Sequence, residues 1–109
     1  MNWKYDISTS VGNVLHETIC NSGDSVKSCV YTLESLLCCV NYICSNFPGE
    51  VSLSFRSLQE DVEGFIDEFK NIDSDIYDED TNDYVLCVVN SLLDEFYDLC
   101  DFHSIWIGS

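Results

Sequence analysis

The chain has 109 residues, of which 20 are Asp or Glu and 4 are Lys or Arg, so its formal net charge at pH 7 is −16. That length suits one domain over residues 1–109. An apolar content of 46% with 13% aromatic residues argues against a wholly disordered acidic chain, and four basic residues are too few for direct binding of nucleic-acid phosphates.

Two elements are predicted before the first break in the pattern. Residues 2–7 alternate apolar and polar side chains, which indicates a short N-terminal strand. Residues 10–20 carry apolar side chains at helical spacing and predict a first helix. The polar residues 21–24 then end this helix, and Asp24 or Ser25 can cap the next one.

A long central helix is predicted over residues 26–45. Apolar side chains recur there at helical spacing, and Glu34 is the only charged residue between Ser28 and Gly49. We expect this helix to be buried almost all round. Its polar interruptions leave it short of the roughly 18–20 apolar residues of a membrane span, so we expect no membrane segment.

A second strand and a third helix are predicted next. Residues 51–56 alternate apolar and polar side chains, which favours a strand. Ser57 and Glu60 match a capping box, so we expect a helix to begin there. Apolar residues at helical spacing continue this helix from Leu58 to about Phe69.

The remaining pattern predicts an acidic loop over residues 71–83, a last helix from about 82 to 101, and a closing strand within 103–107 that pairs with the N-terminal strand. The predicted fold is therefore a small single domain, mainly α or α+β. It has about four helices around a buried central helix, with short strands at the N-terminus, at residues 51–56 and at the C-terminus.

The charge divides the chain into two parts. Residues 1–49 form a near-neutral framework with a net charge of −2, whereas residues 50–109 are strongly acidic, with a net charge of −14. A net charge of roughly 2–8 in magnitude suffices for the solubility of a small domain, so the excess suggests a partner rich in Lys and Arg. The residues predicted to bind it are Glu60, Glu63, Asp67, Asp73, Asp75, Tyr77, Asp78, Glu79, Asp80, Asp83, Asp94, Asp98 and Asp101.

These acidic helix stripes favour an inhibitor that occupies the nucleic-acid-binding surface of a basic nuclease or defence effector. In size, charge and acidic stripes the chain resembles phage-encoded DNA mimics and anti-CRISPR proteins, although it shares no motif with them. The resemblance implies binding by carboxylates that replace phosphates. A toxin-neutralising immunity protein is the alternative, since only its partner differs, and a merely solvated acidic face is the simplest one.

A self-associating helical subunit is a further alternative. Tyr31, Cys38 and Tyr42 lie on the far side of the helix at residues 26–45 and need cover. A homodimer through this helix would bury them and leave the acidic part of each copy facing outward.

Two patterns resemble metal sites incompletely. The stretches that begin at Asp73 and Asp78 start like calcium loops but lack the glycine at position six and the glutamate at position twelve. A tetrahedral zinc site would need the chain termini to meet, and its four ligands would be His16, Cys20, Cys100 and His103. No Cys-x2-Cys pair accompanies these residues, so we expect no bound metal.

No catalytic motif is present. The sequence has no glycine-rich phosphate loop, no Gly-x-Ser-x-Gly and no His-Glu-x-x-His, so we expect a protein that is not an enzyme and needs no cofactor.

The first six residues lack the pattern of a secretory signal. We therefore expect a cytoplasmic protein, in the host cell if it comes from a phage, with its seven cysteines reduced.

Overall fold

The chain forms four helices and one pair of short strands in residues 3–21, 23, 25–72 and 78–107, which are the residues that the computed structural model describes. The helices are α1 (Val11–Asn21), α2 (Val26–Asn46), α3 (Gly49–Lys70) and α4 (Glu79–Phe102). The strands are β1 (Tyr5–Asp6) and β2 (Ile105–Trp106). The prediction of a small, mainly α domain with four helices is confirmed.

Helix α2 is the central element, since it packs against α1, α3 and α4. Ser25 caps its N-terminus by accepting a hydrogen bond from the backbone N–H of Ser28 at 3.1 Å. One face of α2 enters the core, where Leu36 is fully buried. The expectation of burial almost all round is wrong, because the three neighbouring helices leave the opposite face of α2 uncovered. Tyr31 is 61% exposed and Cys38 is also exposed.

By length and composition alone, α2 is long and apolar enough to cross a membrane, contrary to the sequence prediction. The core helix of a globular domain meets the same criterion, and 39% of the apolar window of α2 is buried within this fold. The contacts of α2 with all three other helices account for the apolar residues on its buried face.

The strand predicted for residues 51–56 is wrong, because α3 already begins at Gly49. Val51 and Phe55 are four residues apart, so this pair fits a helical period as well as a strand period, and only Leu53 favours the strand. The helical spacing extends much further, and its buried members are Val51, Phe55, Leu58, Val62, Ile66 and Phe69. Leu53, which a strand would place beside Phe55, is instead exposed.

A buried serine ties the start of α3 to the end of α2. The Ser52 hydroxyl lies within hydrogen-bond distance of the carbonyl oxygens of Cys44, at 3.0 Å, and Phe47, at 3.1 Å. These bonds satisfy carbonyl groups that the end of α2 would leave without helical partners. The capping box predicted at Ser57 does not form, since Ser57 is an exposed residue inside α3.

The termini of the described chain meet in a parallel strand pair, as predicted. Tyr5 is paired with Ile105 and Asp6 with Trp106, and the backbone N–H of Ile7 donates to the carbonyl of Trp106 at 2.9 Å. This pair closes the domain at one end of α4 and brings the N-terminal segment back to the core.

Gly12 allows α1 to pack directly against this strand pair. A Cβ atom at position 12 would lie 2.5 Å from the Ile7 carbonyl oxygen and 3.1 Å from that of Ile107. We expect Gly12→Ala to lower the free energy of unfolding by about 1–3 kcal/mol, because backbone atoms must move to admit the methyl group. Gly64→Ala is the matched control. Apart from the neighbouring backbone of α3, no atom lies within 4 Å of its Cβ position, so it should raise stability by about 0.5–1 kcal/mol in the same urea titration.

Candidate interaction surface

Helices α3 and α4 form an antiparallel hairpin whose register is fixed by two aromatic contacts. Near the connection between the helices, the ring centroids of Phe69 and Tyr84 lie 6.1 Å apart. At the other end, those of Phe55 and Phe96 lie 6.0 Å apart. The later part of α3 is therefore level with the beginning of α4, and the beginning of α3 is level with the later part of α4.

All the predicted site residues on α3 are exposed. Glu60, Glu63 and Asp67 lie on the side of the helix opposite the buried Phe55 and Val62. Their spacing of three and four residues places successive carboxylates about 5–6 Å apart along one helix face. This face agrees with the stripe expected from the sequence.

The predicted residues on α4 divide into two groups. Asp78 caps the helix by accepting a hydrogen bond from the Asp80 backbone N–H at 3.2 Å. The first group, which includes this cap, comprises Asp78, Glu79, Asp80 and Asp83. The second group comprises Asp94, Asp98 and Asp101. All seven side chains are exposed. Asp83 and Asp94 are about 16 Å apart along the helix axis. Asp73, Asp75 and Tyr77 lie outside the described residues.

Acidic residues of α3 lie level with the stretch of α4 that separates these two groups. The middle of α4, residues 84–93, contains no charged side chain. The aromatic contacts place it level with the part of α3 that carries the acids of residues 60–68. Acidic residues therefore occupy first the start of α4, then the later half of α3, and then the later half of α4, so they extend over the whole length of the hairpin. We call the exposed Asp and Glu residues within 60–68, 78–83 and 94–101 the acidic surface.

The seam between the two helices carries further acidic residues that sequence analysis did not assign to the site. The Tyr84 hydroxyl donates to Glu68 Oε2 at 3.2 Å, which places both side chains at the seam. Asp61 lies seven residues before Glu68, and Glu95 eleven residues after Tyr84, so both lie on the same seam-facing sides of their helices. Helical spacing alone could not identify them, because it does not show which side of α3 meets α4.

Partial desolvation, followed by the hydrogen bond from Tyr84 to Glu68 and the charge of Glu68, raises the pKa of the Tyr84 phenol. The phenol therefore stays protonated at neutral pH and can act as a hydrogen-bond donor at the seam. Tyr84 is about half exposed, so its ring is also available as an amphipathic contact for a partner.

Basic residues do little to neutralise the acidic surface. In the described part of the chain, the ion pair is Lys70 Nζ to Glu34 Oε1 at 3.2 Å, and it joins α3 to α2 on the side away from α4. Arg56 is the remaining cation on the hairpin. Each pair of like charges one helical turn apart destabilises its helix by a few tenths of a kcal/mol. The free protein therefore carries electrostatic repulsion that a cationic partner would relieve.

An exposed phenylalanine lies at the end of the hairpin that the strand pair closes. Phe102 is 80% exposed and borders an open cleft of about 470 Å³, whose lining includes Lys4, Glu50, Ser54 and His103. Phe102 follows Glu95 by seven residues and so continues the seam. Large aromatic side chains beside charged groups are typical anchors of protein interfaces.

The four residues of the zinc hypothesis do not come together. No group of three or more His, Cys, Asp or Glu side chains suited to a metal ion occurs in residues 3–21, 23, 25–72 and 78–107. His16 and Cys20 are in contact, with 3.7 Å between Nε2 and Sγ. Cys100, however, is buried in the core, and the His103 ring packs 6.1 Å from Phe55.

The buried thiols are held in the unreactive, protonated form. Cys39 Sγ donates to the Val11 carbonyl at 3.1 Å, and burial, with a smaller contribution from Cys38, raises its pKa to about 12. Burial likewise raises the pKa of Cys100 far above its ordinary value. Thiolates are the nucleophilic form of cysteine, so neither residue can act as a nucleophile in the folded protein near neutral pH.

A thiol-reagent assay tests this division of the cysteines. In the native protein we expect the three exposed thiols, Cys20, Cys38 and Cys87, to react rapidly with an aromatic disulfide reagent. The buried Cys29, Cys39 and Cys100 should react at least about 100 times more slowly, and all should react rapidly in urea. Rapid native-state modification of Cys39 and Cys100 would contradict the described packing.

The chemistry available at the acidic surface is ion pairing and hydrogen-bond acceptance by many carboxylates, supplemented by exposed aromatic rings. No protein-family model, curated protein or solved structure matches this chain in comparisons with known proteins. The case for a function therefore depends on the arrangement of these side chains.

Proposed function

We propose that the protein is an inhibitor that binds a basic partner through the acidic surface and occludes the partner's nucleic-acid-binding groove. The observation that carries the proposal is the staggered placement of exposed acidic residues along the whole α3–α4 hairpin. Helix α4 has 24 residues and is therefore about 36 Å long, roughly the rise of ten base pairs of duplex DNA. Carboxylates over this length can pair with Lys and Arg that otherwise bind phosphates.

Such an inhibitor acts by occupying a site and performs no chemistry. Exposed ion pairs contribute only about 0–1 kcal/mol each, so affinity requires many of them together with desolvated anchor residues. Phe102 and Tyr84 on the seam are suited to that role. The summed negative field of the acidic surface would also accelerate encounter with a cationic partner and make association sensitive to salt.

A nuclease or defence effector that meets nucleic acid in the cytoplasm is the partner class that this mechanism requires. The same surface would serve a toxin-neutralising immunity protein, whose partner is a nuclease toxin. Both variants of the proposal share one binding mode and differ only in the identity of the partner. The proposal therefore has the protein act in the compartment where that partner contacts nucleic acid, which we take to be the cytoplasm of the host cell.

Self-association through α2 is a second candidate, favoured by the uncovered Tyr31 and Cys38 on its outer face. Lys27 and Glu34 are the only charged residues in α2, so two copies could approach there while their acidic surfaces remain free. Light scattering at low and high salt tests this candidate. A dimer is expected at both, whereas a monomer at all accessible protein concentrations would remove it.

Affinity capture tests the proposed function. The immobilised protein is incubated with a lysate that contains nucleic-acid enzymes and is washed with NaCl rising from about 0.1 M to about 1 M, over which the Debye length falls from about 10 Å to about 3 Å. We expect one basic nucleic-acid-binding protein to resist the wash far better than the others. Elution of only weakly held, interchangeable basic proteins at low salt would contradict a specific inhibitor.

A further inference from the structure

One pair of metal-binding side chains lies in contact on α1, outside the acidic surface. His16 and Cys20 are separated by one helical turn, and their Nε2 and Sγ atoms lie 3.7 Å apart. Cys20 is exposed and His16 is half-buried, so a solvent ion can reach the space between the two atoms. The acidic surface of α3 and α4 does not use either residue.

We propose that His16 and Cys20 of a single chain bind one divalent cation of the zinc type, with water in the remaining coordination positions. Zinc binds sulfur at about 2.3 Å and imidazole nitrogen at about 2.0–2.1 Å, which in a tetrahedral site separates the two ligand atoms by about 3.6 Å. The 3.7 Å between Sγ and Nε2 matches this separation, so the ion would replace the thiol proton with little movement of either side chain.

The surroundings of α1 hold the pair in place. Leu15 is fully buried and anchors the helix to the core. Thr18 lies between the two ligands in sequence; its hydroxyl donates to the Val14 carbonyl at 2.8 Å and lies 3.1 Å from the Ser35 hydroxyl on α2. Since the helix is fixed before an ion arrives, binding costs little ordering of the backbone. The net charge of −16 raises the local concentration of cations around the protein.

The other exposed thiols serve as internal controls. The chain has two histidines; His16 contacts Cys20, and His103 packs between Phe55 and Phe102. Cys38 and Cys87 are exposed thiols, and the histidine contacts just given involve neither of them. Sulfur and nitrogen ligands select zinc-type ions, whereas carboxylates prefer Mg²⁺ and Ca²⁺, so the two kinds of binding can be separated experimentally.

The test is a Co²⁺ titration of the reduced, metal-free 109-residue chain, with excess Mg²⁺ present to occupy the carboxylates. We expect a thiolate-to-cobalt charge-transfer band that saturates at one ion per chain and disappears when Zn²⁺ displaces Co²⁺. Cys20→Ser should abolish the band. His16→Ala should weaken Co²⁺ binding at least about tenfold. Removing a residue that only hydrogen-bonds to a metal ligand already lowers metal affinity about 10–100-fold, and His16 is proposed as a direct ligand. Cys38→Ser and Cys87→Ser should leave the titration unchanged.

Three results would overturn the proposal. They are the absence of a charge-transfer band, an unchanged affinity of His16→Ala for Co²⁺, and saturation at one ion for every two chains. Circular dichroism of each variant shows whether the helices are intact, so that a lost band in a folded variant reports on the ligands. As a further control, Glu63→Gln on the acidic surface should leave the band unaffected.

Discussion

Glu63→Lys combined with Asp67→Lys is expected to weaken partner binding by at least about 100-fold without unfolding the protein. Both side chains are exposed on the later half of α3, one helical turn apart. The substitutions remove two attractive pairs and place like charges against the partner's cations, which costs several kcal/mol. A loss of about 3 kcal/mol corresponds to about 100-fold in Kd. Titration of the captured partner by calorimetry measures the change.

The matched control carries the same change of net charge elsewhere. Asn13→Lys, Glu17→Lys and Ser45→Lys together alter exposed residues of α1 and α2 and also raise the net charge by four units. Binding by this control should change by less than about threefold at physiological salt, where the Debye length is about 8 Å. Equal losses in both variants would mean that only overall charge matters. Asp78 is left intact because it caps α4.

Phe55→Ala is expected to have the largest effect on stability, a loss of about 3–5 kcal/mol in the free energy of unfolding. Phe55 is fully buried, and its ring contacts that of Phe96 at 6.0 Å and that of His103 at 6.1 Å. The cavity would loosen α3 from α4 at the end that the strand pair closes. Small domains have a free energy of unfolding of only about 5–15 kcal/mol. The variant should therefore unfold at a much lower urea concentration than the unmodified protein.

Leu53→Ala is the control for this substitution and also tests the helical assignment. A strand would place residues 53 and 55 on the same face, whereas α3 places them about 200° apart. Leu53 is 68% exposed, so its truncation should cost less than about 0.5 kcal/mol. Similar large losses at both positions would support the strand predicted from alternation and contradict α3 as described.

Much of the fold could be predicted because long apolar periodicity is unambiguous. Helices α1 and α2 were predicted to within about a residue at each end, and the closing strand was predicted with its partner. The strand predicted for residues 51–56 is wrong because Val51 and Phe55, four residues apart, fit a helix as well as a strand. The contacts that decide between the two are distant in sequence. Ser52 bonds back to the end of α2, and Phe55 meets Phe96 on α4.

The candidate site was predictable only in part. Exposure of the acidic stripes follows from the apolar face on the opposite side of each helix, as Glu63 and Asp67 illustrate. Their relation to the acids of α4 depends on the hairpin register, which is fixed by contacts such as Phe69 with Tyr84. No periodicity within a single helix contains that information. The same reason explains why Glu68 and its bond with Tyr84 went unassigned.

Competition for the captured partner tests the central claim most directly. The partner is mixed with labelled nucleic acid that it binds, and the protein is added at increasing concentration while fluorescence anisotropy is recorded. Occlusion predicts full displacement of the nucleic acid, with an apparent inhibition constant that rises linearly with the nucleic-acid concentration. A ternary complex, in which the protein binds tightly while the nucleic acid stays bound, would contradict it.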